Sequence, residues 1–95
     1  MESALSARSF KTHLLKIKAC YADDVYAGNK PFEIRKNDRD YKVGDHIVFN
    51  VIDDLPEHPL NKVEYKITYV FDEFGLTDDY VILGIQCLGG TVTDA

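Results

Sequence analysis

Apolar and polar residues alternate in five short segments of the chain, and this period of two predicts five β-strands. The predicted strands cover residues 13–19, 32–36, 46–52, 62–71 and 80–88. The fourth strand has the most regular alternation, which places five apolar residues on one face: Val63, Tyr65, Ile67, Tyr69 and Phe71. In the third and fifth strands the residues predicted to face inward are Ile47, Phe49, Val51, Val81, Leu83, Ile85 and Cys87.

One segment, residues 20–29, has the period of a helix instead. Its apolar residues recur four positions apart, and Gly28 is suited to end the helix in a left-handed conformation. Residues 37–45 contain turn-forming residues and are predicted to be a loop that ends in a tight turn. Residues 53–61 hold two prolines and three acidic residues without periodicity, which predicts an exposed connection.

These elements predict a mixed α/β, mainly β fold, because no second helix is present to cover a parallel sheet. A small β-barrel of about five strands, with one or two short helices, would hide the edges of such a sheet. At 95 residues the chain is long enough for one core. We expect one domain over residues 11–88, a loosely ordered N-terminal segment over residues 1–10 and a flexible C-terminal tail over residues 89–95.

The charge along the chain is uneven and limits the classes of ligand. Residues 1–42 carry nine basic and six acidic residues, a net charge of +3, whereas residues 43–95 carry two and ten, a net charge of −8. Tight nonspecific binding to long nucleic acids is therefore disfavoured, although the basic half is compatible with one local anion site. In the absence of a membrane-length apolar stretch or a signal peptide, we expect a cytoplasmic protein with Cys20 and Cys87 reduced and buried in the core.

Residues 28–42 concentrate five of the basic residues around one short strand, and they form the candidate site. Glu33 and Arg35 project from the same side of this strand, about 7 Å apart, and Lys30 lies just before it. A desolvated lysine beside a carboxylate can act as a base or nucleophile, and an arginine can bind a phosphate or an oxyanion. The spacing alone leaves open the alternative of a simple surface ion-pair ladder.

The loop after this strand supplies further candidates for ligand binding. Lys36 and Arg39 are predicted to form a basic lip over the site, the alternative being that they are solvated loop residues. Tyr41 in this loop, and Tyr21 or Tyr26 on the helix, are the tyrosines best placed to stack on a nucleobase. Base stacking on these rings is therefore one interpretation of the segment, beside ordinary packing.

The remaining residues with reactive side chains do not form a recognisable catalytic or metal-binding pattern. His13, His46 and His58 lack metal-ligand spacing with one another or with the cysteines, so they are predicted to be surface or strand-end residues. The chain contains neither a glycine-rich phosphate loop nor a Ser-His-Asp order. We therefore expect no metal and no cofactor.

The run GNKPFEIRKNDRD resembles the signature of the ASCH families of the PUA-like superfamily. Gly28, Lys30, Glu33 and Arg35 match the pattern Gly-x-Lys-x-x-Glu-x-Arg. The longer run KPFEIRKNDRDYKVGD, with HLLKI before it and GLTDDYVILGI after it, resembles the DUF3850 family, a relative of ASCH. The resemblance covers about residues 13–88 and implies a PUA-like β-barrel with a cleft lined by the signature.

The resemblance implies two functions of different classes. In the first, the protein is an RNA- or nucleotide-binding domain whose ligand contacts are Arg35, Lys36, Arg39 and Tyr41, together with Lys30. In the second, it is a small amidohydrolase that deacylates N4-acetylcytidine-type nucleosides, with Lys30 as base or nucleophile and Glu33 as its proton partner. The hydrolases it resembles have a threonine at the position of Glu33, which favours the first interpretation. A protein-interaction domain with a vestigial cleft is the third.

Overall fold

The computed structural model describes residues 10–54, 56–73, 75–77 and 79–89. This part of the chain forms five β-strands, one α-helix and one short 3-10 helix. In chain order these are β1 (Thr12–Ile17), α1 (Ala19–Ala27), β2 (Phe32–Lys36), β3 (His46–Val51), the 3-10 helix (Pro59–Lys62), β4 (Glu64–Phe71) and β5 (Tyr80–Cys87). The predicted tails, residues 1–10 and 89–95, lie outside the described residues apart from Phe10 and Gly89.

The strands of the described part form one sheet in the order β1-β3-β4-β5-β2. β1 and β3 are parallel, and the other three pairs are antiparallel. The sheet curls into a half-barrel, so the prediction of a small, mainly β, barrel-like fold with a short helix is confirmed. Because β1 and β2 are the two edges of the sheet, the sides of the half-barrel meet where these strands approach each other.

Alternation along the strands fills the inside of the half-barrel with apolar side chains. The buried apolar residues are Leu15, Ile17, Ala22, Val25, Tyr41, Ile47, Phe49, Val51, Leu60, Tyr65, Ile67, Val81, Leu83 and Ile85. The helix α1 covers the core with Ala22 and Val25, one helical turn apart. It ends where predicted, since Gly28 has a φ of 86° and its N–H donates to the carbonyl of Val25.

The prediction that Tyr69 lies on the core side of β4 is wrong. The register of β4 against β5 shifts between Ile67 and Tyr69, because a β-bulge adds one residue at Thr68. Tyr65 and Ile67, before the bulge, are buried, whereas Tyr69, after it, is 61% exposed. The bulge therefore moves Tyr69 to the outer side of the sheet, whereas Val70, the next residue, packs against the core.

The prediction that both cysteines are core residues is also wrong, because Cys20 and Cys87 are exposed and free. Cys20 lies on the solvent side of the first turn of α1. Cys87 keeps the inward register of Val81, Leu83 and Ile85, but it is exposed at the end of β5. The alternation of β5 therefore predicts the side of the strand on which Cys87 lies, but not its exposure.

The segment between β3 and β4 is less exposed than its composition predicts. Leu60 is fully buried, and His58 is 5% exposed. The Nδ1 atom of His58 accepts a hydrogen bond from the backbone N–H of Leu60, at 3.0 Å, and so caps the 3-10 helix, while its Nε2 atom bonds to Asp23 of α1 at 2.8 Å. The histidine joins the 3-10 helix to α1 instead of lying on the surface.

His13 is buried as well, in a polar cluster where β1 and β3 begin. Its Nε2 atom lies 2.8 Å from Oδ2 of Asp45, which is 2% exposed. The two carboxylate oxygens of Asp45 also accept the backbone N–H groups of Lys11 and Lys42, each at 3.1 Å. The adjacent Gly44 has a φ of 100°, a conformation that glycine adopts without strain. The cluster therefore holds the starts of both strands and the turn that leads into β3.

Candidate functional site

The candidate site is built on β2, whose polar side faces inward. Glu33 is 3% exposed, whereas the neighbouring Ile34 is 51% exposed. A carboxylate is tolerated in such a position only when charged or hydrogen-bonding groups satisfy it. The site must therefore contain partners for Glu33.

Lys30 and Arg35 are these partners. The Nζ atom of Lys30 lies 3.3 Å from Oε2 of Glu33, and the Nε atom of Arg35 donates to Oε1 at 2.9 Å. Each cationic side chain is about one fifth exposed: 23% for Lys30 and 22% for Arg35. The structure thus brings together the three residues that sequence spacing predicted, as a cation-carboxylate-cation triad.

The end of helix α1 positions Lys30 for this contact. Its backbone N–H and that of Asn29 both donate to the carbonyl of Asp24, at 3.1 and 2.9 Å. The ammonium lies 5.6 Å from the ring centre of Tyr21 and 5.1 Å from that of Phe32, close enough for cation-π attraction. Two aromatic rings and one carboxylate therefore fix the direction in which Lys30 points.

Arg35 and Arg39 also join the two edges of the sheet. Arg35 donates from Nη2 to the carbonyl of Lys16 at 2.8 Å, and Arg39 donates from Nη1 to the carbonyl of Leu14 at 3.1 Å. Carbonyl groups along β1 point alternately to its two sides. The carbonyls of Lys11 and Ile17 accept N–H groups of the β3 segment, so those of Leu14 and Lys16 point to the side away from β3. Part of the positive charge of residues 28–42 therefore closes the seam between β1 and β2.

A cleft of about 550 Å³ opens along this seam, between β2, the end of β1 and the start of α1. Its described lining residues are Lys16, Ile17, Lys18, Tyr21, Lys30, Glu33, Ile34, Arg35, Lys36 and Tyr80. Five of these residues are basic and one, Glu33, is acidic. The cleft therefore combines a strongly positive wall with apolar and aromatic side chains, although the whole protein is acidic.

The loop residues predicted to bind ligand are divided between the cleft and other positions. Lys36 lines the cleft, whereas Arg39 and Tyr41 are not among its lining residues. Tyr41 is 5% exposed, and its ring centre lies 4.7 Å from that of His13. Burial raises the pKa of Tyr41, against the opposing effect of the Arg39 and Arg35 charges. Its ring is thus a core element in this structure and Tyr21 is the tyrosine of the helix that reaches the cleft.

Three lining residues were not singled out from the sequence: Lys16, Lys18 and Tyr80. Lys16 and Lys18 stand at the end of β1, and their alternation with Leu15 and Ile17 marked them only as outward residues. Tyr80 reaches the cleft because β5 pairs with β2, which places it opposite Lys36. Among the sequence features, only the net positive charge of residues 1–42 pointed to Lys16 and Lys18.

A second opening, of about 470 Å³, lies at the other end of the half-barrel. Tyr26, Tyr65 and Cys87 are among its lining residues. Burial, with smaller contributions from Cys87 and Tyr26, raises the pKa of Tyr65 to about 12, so its hydroxyl keeps its proton at neutral pH. This hydroxyl lies 3.5 Å from the carbonyl of Val25, as a donor to α1. We therefore interpret this opening as part of the packing between the sheet and α1, and not as a ligand site.

Within the described residues, neither a cluster of metal ligands nor a membrane-length helix is present. No group of three or more His, Cys, Asp or Glu side chains lies together in a way that could hold a metal ion. None of the helices in these residues has both the length and the apolar character needed to cross a bilayer.

Comparison with known proteins relates the chain to one family. A curated relative from Escherichia phage P2, "Uncharacterized 12.9 kDa protein in GpA 3'region", is 38% identical over 75 residues. This match covers 77% of the present chain and 66% of the phage protein, slightly less than two thirds of its length. The family described as "Domain of unknown function (DUF3850)" matches residues 12–85, which include all of β1 to β4, most of β5 and the whole triad. The chain therefore belongs to the DUF3850 family.

Proposed function

We propose that this protein binds a nucleotide or a short single-stranded RNA segment in the cleft along the seam. One observation carries the proposal: five basic side chains and one buried carboxylate line the same 550 Å³ opening, with Tyr21, Ile34 and Tyr80 beside them. Phosphate groups are bound by lysine and arginine, and a nucleobase is bound by aromatic and apolar side chains. The cleft offers both kinds of surface within one site.

The triad leaves hydrogen-bond donors for such a ligand. Arg35 uses its Nε and one Nη2 hydrogen for Glu33 and Lys16, which leaves three of the five guanidinium N–H groups. The ammonium of Lys30 uses one of its three hydrogens for Glu33. Glu33 therefore orients both cations, and a phosphate group would contact the donors that remain. Tyr21, which already lies beside Lys30, is the side chain proposed to stack on the base.

Two further considerations support a small or single-stranded ligand. The net charge of −5 opposes long duplexes, whose affinity depends on many phosphate contacts. The resemblance of Gly28, Lys30, Glu33 and Arg35 to the ASCH signature, in a superfamily that contains RNA-binding PUA domains, favours the same class of ligand. The proposed setting is the cytoplasm, where RNA and nucleotides are present.

The first prediction concerns binding to the cleft. In a fluorescence polarisation titration with labelled single-stranded RNA of about eight nucleotides, and in calorimetry with nucleoside monophosphates, we expect Lys30→Ala to raise Kd about tenfold, because a charge-assisted bond to phosphate is lost. Lys66→Ala is the matched control, since Lys66 is an exposed lysine on β4 outside the cleft lining. We expect it to bind as the unmodified protein does, and affinity for RNA should fall as salt rises.

Equal losses in Lys30→Ala and Lys66→Ala would show that any binding reflects overall charge and would contradict a site in the cleft. The absence of binding to every RNA and nucleotide tested would reject the proposed ligand class. Thermal unfolding of each variant must be recorded in parallel, because Lys30 also contacts Glu33. Only a Lys30→Ala protein that stays folded and fails to bind shows that Lys30 contributes to binding.

One observation favours a second candidate function, hydrolysis of an amide on a modified nucleoside. Lys30 and Glu33 lie 3.3 Å apart in the wall of the same cleft, which is within reach for proton transfer with little movement. In this alternative, Lys30 is the base or nucleophile, Glu33 exchanges its proton, and Arg35 stabilises the developing oxyanion. A small neutral substrate would not depend on the charge of the protein.

A turnover assay with N4-acetylcytidine distinguishes this alternative from simple binding. If the protein is a deacylase, we expect cytidine to form and Lys30→Ala to lower kcat by at least about a hundredfold, the usual contribution of a general base or nucleophile. Lys66→Ala again serves as the control that keeps full turnover. Turnover that survives Lys30→Ala unchanged would reject the catalytic assignment and leave the binding proposal intact.

A further inference from the structure

A large part of the outer surface of the sheet is apolar, on the side away from the core. Two features produce this surface. The bulge in β4 turns Tyr69 outward, and β2 directs Glu33 inward, so that Phe32 and Ile34 face outward. The outer face of β4, β5 and β2 is therefore covered by side chains that sheets usually bury.

The pairing of the strands arranges these residues in rows across the sheet. Phe32 on β2, Gly84 on β5 and Tyr69 on β4 form one row, and Ile34, Ile82 and Phe71 form the next. Lys36 and Tyr80 form a third row at the same end of the sheet as the β4-β5 connection. We call this surface, defined by Phe32, Ile34, Tyr69, Phe71, Tyr80, Ile82 and Gly84, the outer face.

Several of these side chains remain accessible in the single chain. Tyr69 is 61% exposed, Ile34 51%, Tyr80 41% and Phe32 37%, and Ile82 and Phe71 are half-buried. A contiguous exposed apolar surface is a feature of many interaction sites. Glycine at the centre keeps the face flat, because a Cβ on Gly84 would lie 3.2 Å from that of Tyr69.

The charges at the edges of the outer face indicate which partner fits it. Lys36 lies on the β2 side of the third row, whereas Asp72 and Glu73 directly follow Phe71 on the β4 side. Acidic residues beside the face disfavour a nucleic acid strand across it. A basic edge and an acidic edge on opposite sides of one apolar surface are instead complementary to the same surface on a second copy.

We propose that the outer face is the interface of a symmetric dimer of this chain, with the two-fold axis parallel to β5. Such an axis places β2 of one copy over β4 of the other, in the aligned packing of two sheets. Phe32 then lies over Tyr69 of the second copy, and Ile34 lies over its Phe71. Lys36 lies near the Asp72-Glu73 pair of the second copy, twice by symmetry.

The opposite end of the outer face is compatible with this arrangement. There the same axis brings Lys30 towards Lys66 of the second copy. Lys30 is already paired with Glu33, and the carboxylate offsets part of the repulsion between the two lysines. Ile34, Lys36 and Tyr80 also line the cleft, so the proposed interface borders the cleft. The proposal rests on the protein surface alone and not on the identity of a ligand.

The size of the face sets the expected affinity. Three strands about 4.8 Å apart and five residues rising about 3.4 Å each give a surface of roughly 15 by 17 Å. This area is well below the roughly 800 Å² that each partner contributes to a standard stable interface. We therefore expect a weak dimer that dissociates in dilute samples.

Sedimentation equilibrium of the full chain from about 10 µM to about 1 mM tests the proposal. The unmodified protein should change from monomer to dimer over this range. Tyr69→Ser should weaken association at least about tenfold through lost apolar contact, while Leu14→Ser, which removes an equally exposed apolar side chain on β1, should have no effect. Neither residue lines the cleft, and circular dichroism of both variants checks that they are folded.

A charge exchange tests the orientation of the two copies. Lys36→Glu and Glu73→Lys should each weaken association about fivefold at low salt, and the double variant should return to within about twofold of the unmodified protein. Recovery of this kind requires the two charges to meet across the interface. Double variants in which the losses add would overturn the proposed axis.

Other outcomes would overturn the interface itself. A protein that stays monomeric to about 1 mM does not use the outer face in this way. A dimer that persists unchanged in Tyr69→Ser uses another surface. If the protein is monomeric and Tyr69→Ser instead weakens RNA binding, the outer face belongs to a nucleic acid surface, and the self-association proposal fails while the ligand class of the cleft stands.

Discussion

Replacing Asp45 with alanine is expected to lower the free energy of unfolding by about 3 kcal/mol. Asp45 is 2% exposed and accepts three hydrogen bonds, from His13 and from the backbone N–H groups of Lys11 and Lys42. Alanine leaves all three donors without a partner where β1 and β3 begin. Urea denaturation at pH 7, followed by circular dichroism, measures the loss.

The same carboxylate gives the stability a defined dependence on pH. Burial alone would raise the pKa of Asp45, but the hydrogen bonds from His13, Lys11 and Lys42 outweigh it and hold the pKa below its ordinary value of 3.8. The folded state therefore binds the proton less tightly than the unfolded state. The stabilisation is complete above the ordinary pKa and is lost as the pH falls through that value towards the lower pKa of the folded state.

Asp45→Asn is the control for this effect, since asparagine has a similar shape and does not titrate. The difference in unfolding free energy between the unmodified protein and Asp45→Asn should shrink as the pH falls below about pH 4. A difference that does not change with pH down to about pH 3 would show that the ionised form of Asp45 does not stabilise the fold.

Replacing Glu33 with alanine is expected to lower the free energy of unfolding by about 2 to 3 kcal/mol. The change leaves Lys30 and Arg35 without their shared carboxylate, and both cations are only about one fifth exposed. Glu33→Gln should cost less, about 1 to 2 kcal/mol, because the amide oxygen still accepts one hydrogen bond while the amide NH₂ group faces the other cation. Urea denaturation of the unmodified protein, Glu33→Ala and Glu33→Gln measures the order of their unfolding free energies.

Glu57→Gln provides the comparison for Glu33. Glu57 is 56% exposed, and its carboxylate lies 4.0 Å from Nζ of Lys62, an ordinary surface ion pair worth less than about 1 kcal/mol. If Glu33→Ala costs no more than Glu57→Gln, the triad does not stabilise the half-barrel.

The regular elements could be predicted from the sequence because short-range physics determines them. The alternation of β3 and the four-residue spacing of α1, with Gly28 at its end, depend on neighbours in the chain, and the structure agrees with them. The bulge at Thr68 could not be predicted in this way. It depends on the register of β4 against β5, which pairs residues that are far apart in sequence.

The candidate site was likewise predictable only where the spacing of nearby residues determines it. The spacing of Lys30, Glu33 and Arg35 on and just before one strand was enough to bring them together. The burial of Glu33 and the position of Tyr41 in the core depend on how the sheet curls. Lys16 and Lys18 join the cleft only because β1 returns beside β2, which no local pattern indicates.

The way in which Arg35 and Arg39 bridge β1 and β2 has a mechanical consequence. The four strand pairs of the described sheet are held by ladders of backbone hydrogen bonds, which do not depend on side-chain identity. The seam is held by two side chains that donate to Lys16 and Leu14. Side chains therefore close the half-barrel at this seam. We expect substitutions of Arg35 and Arg39 to open it while the four strand pairs stay intact.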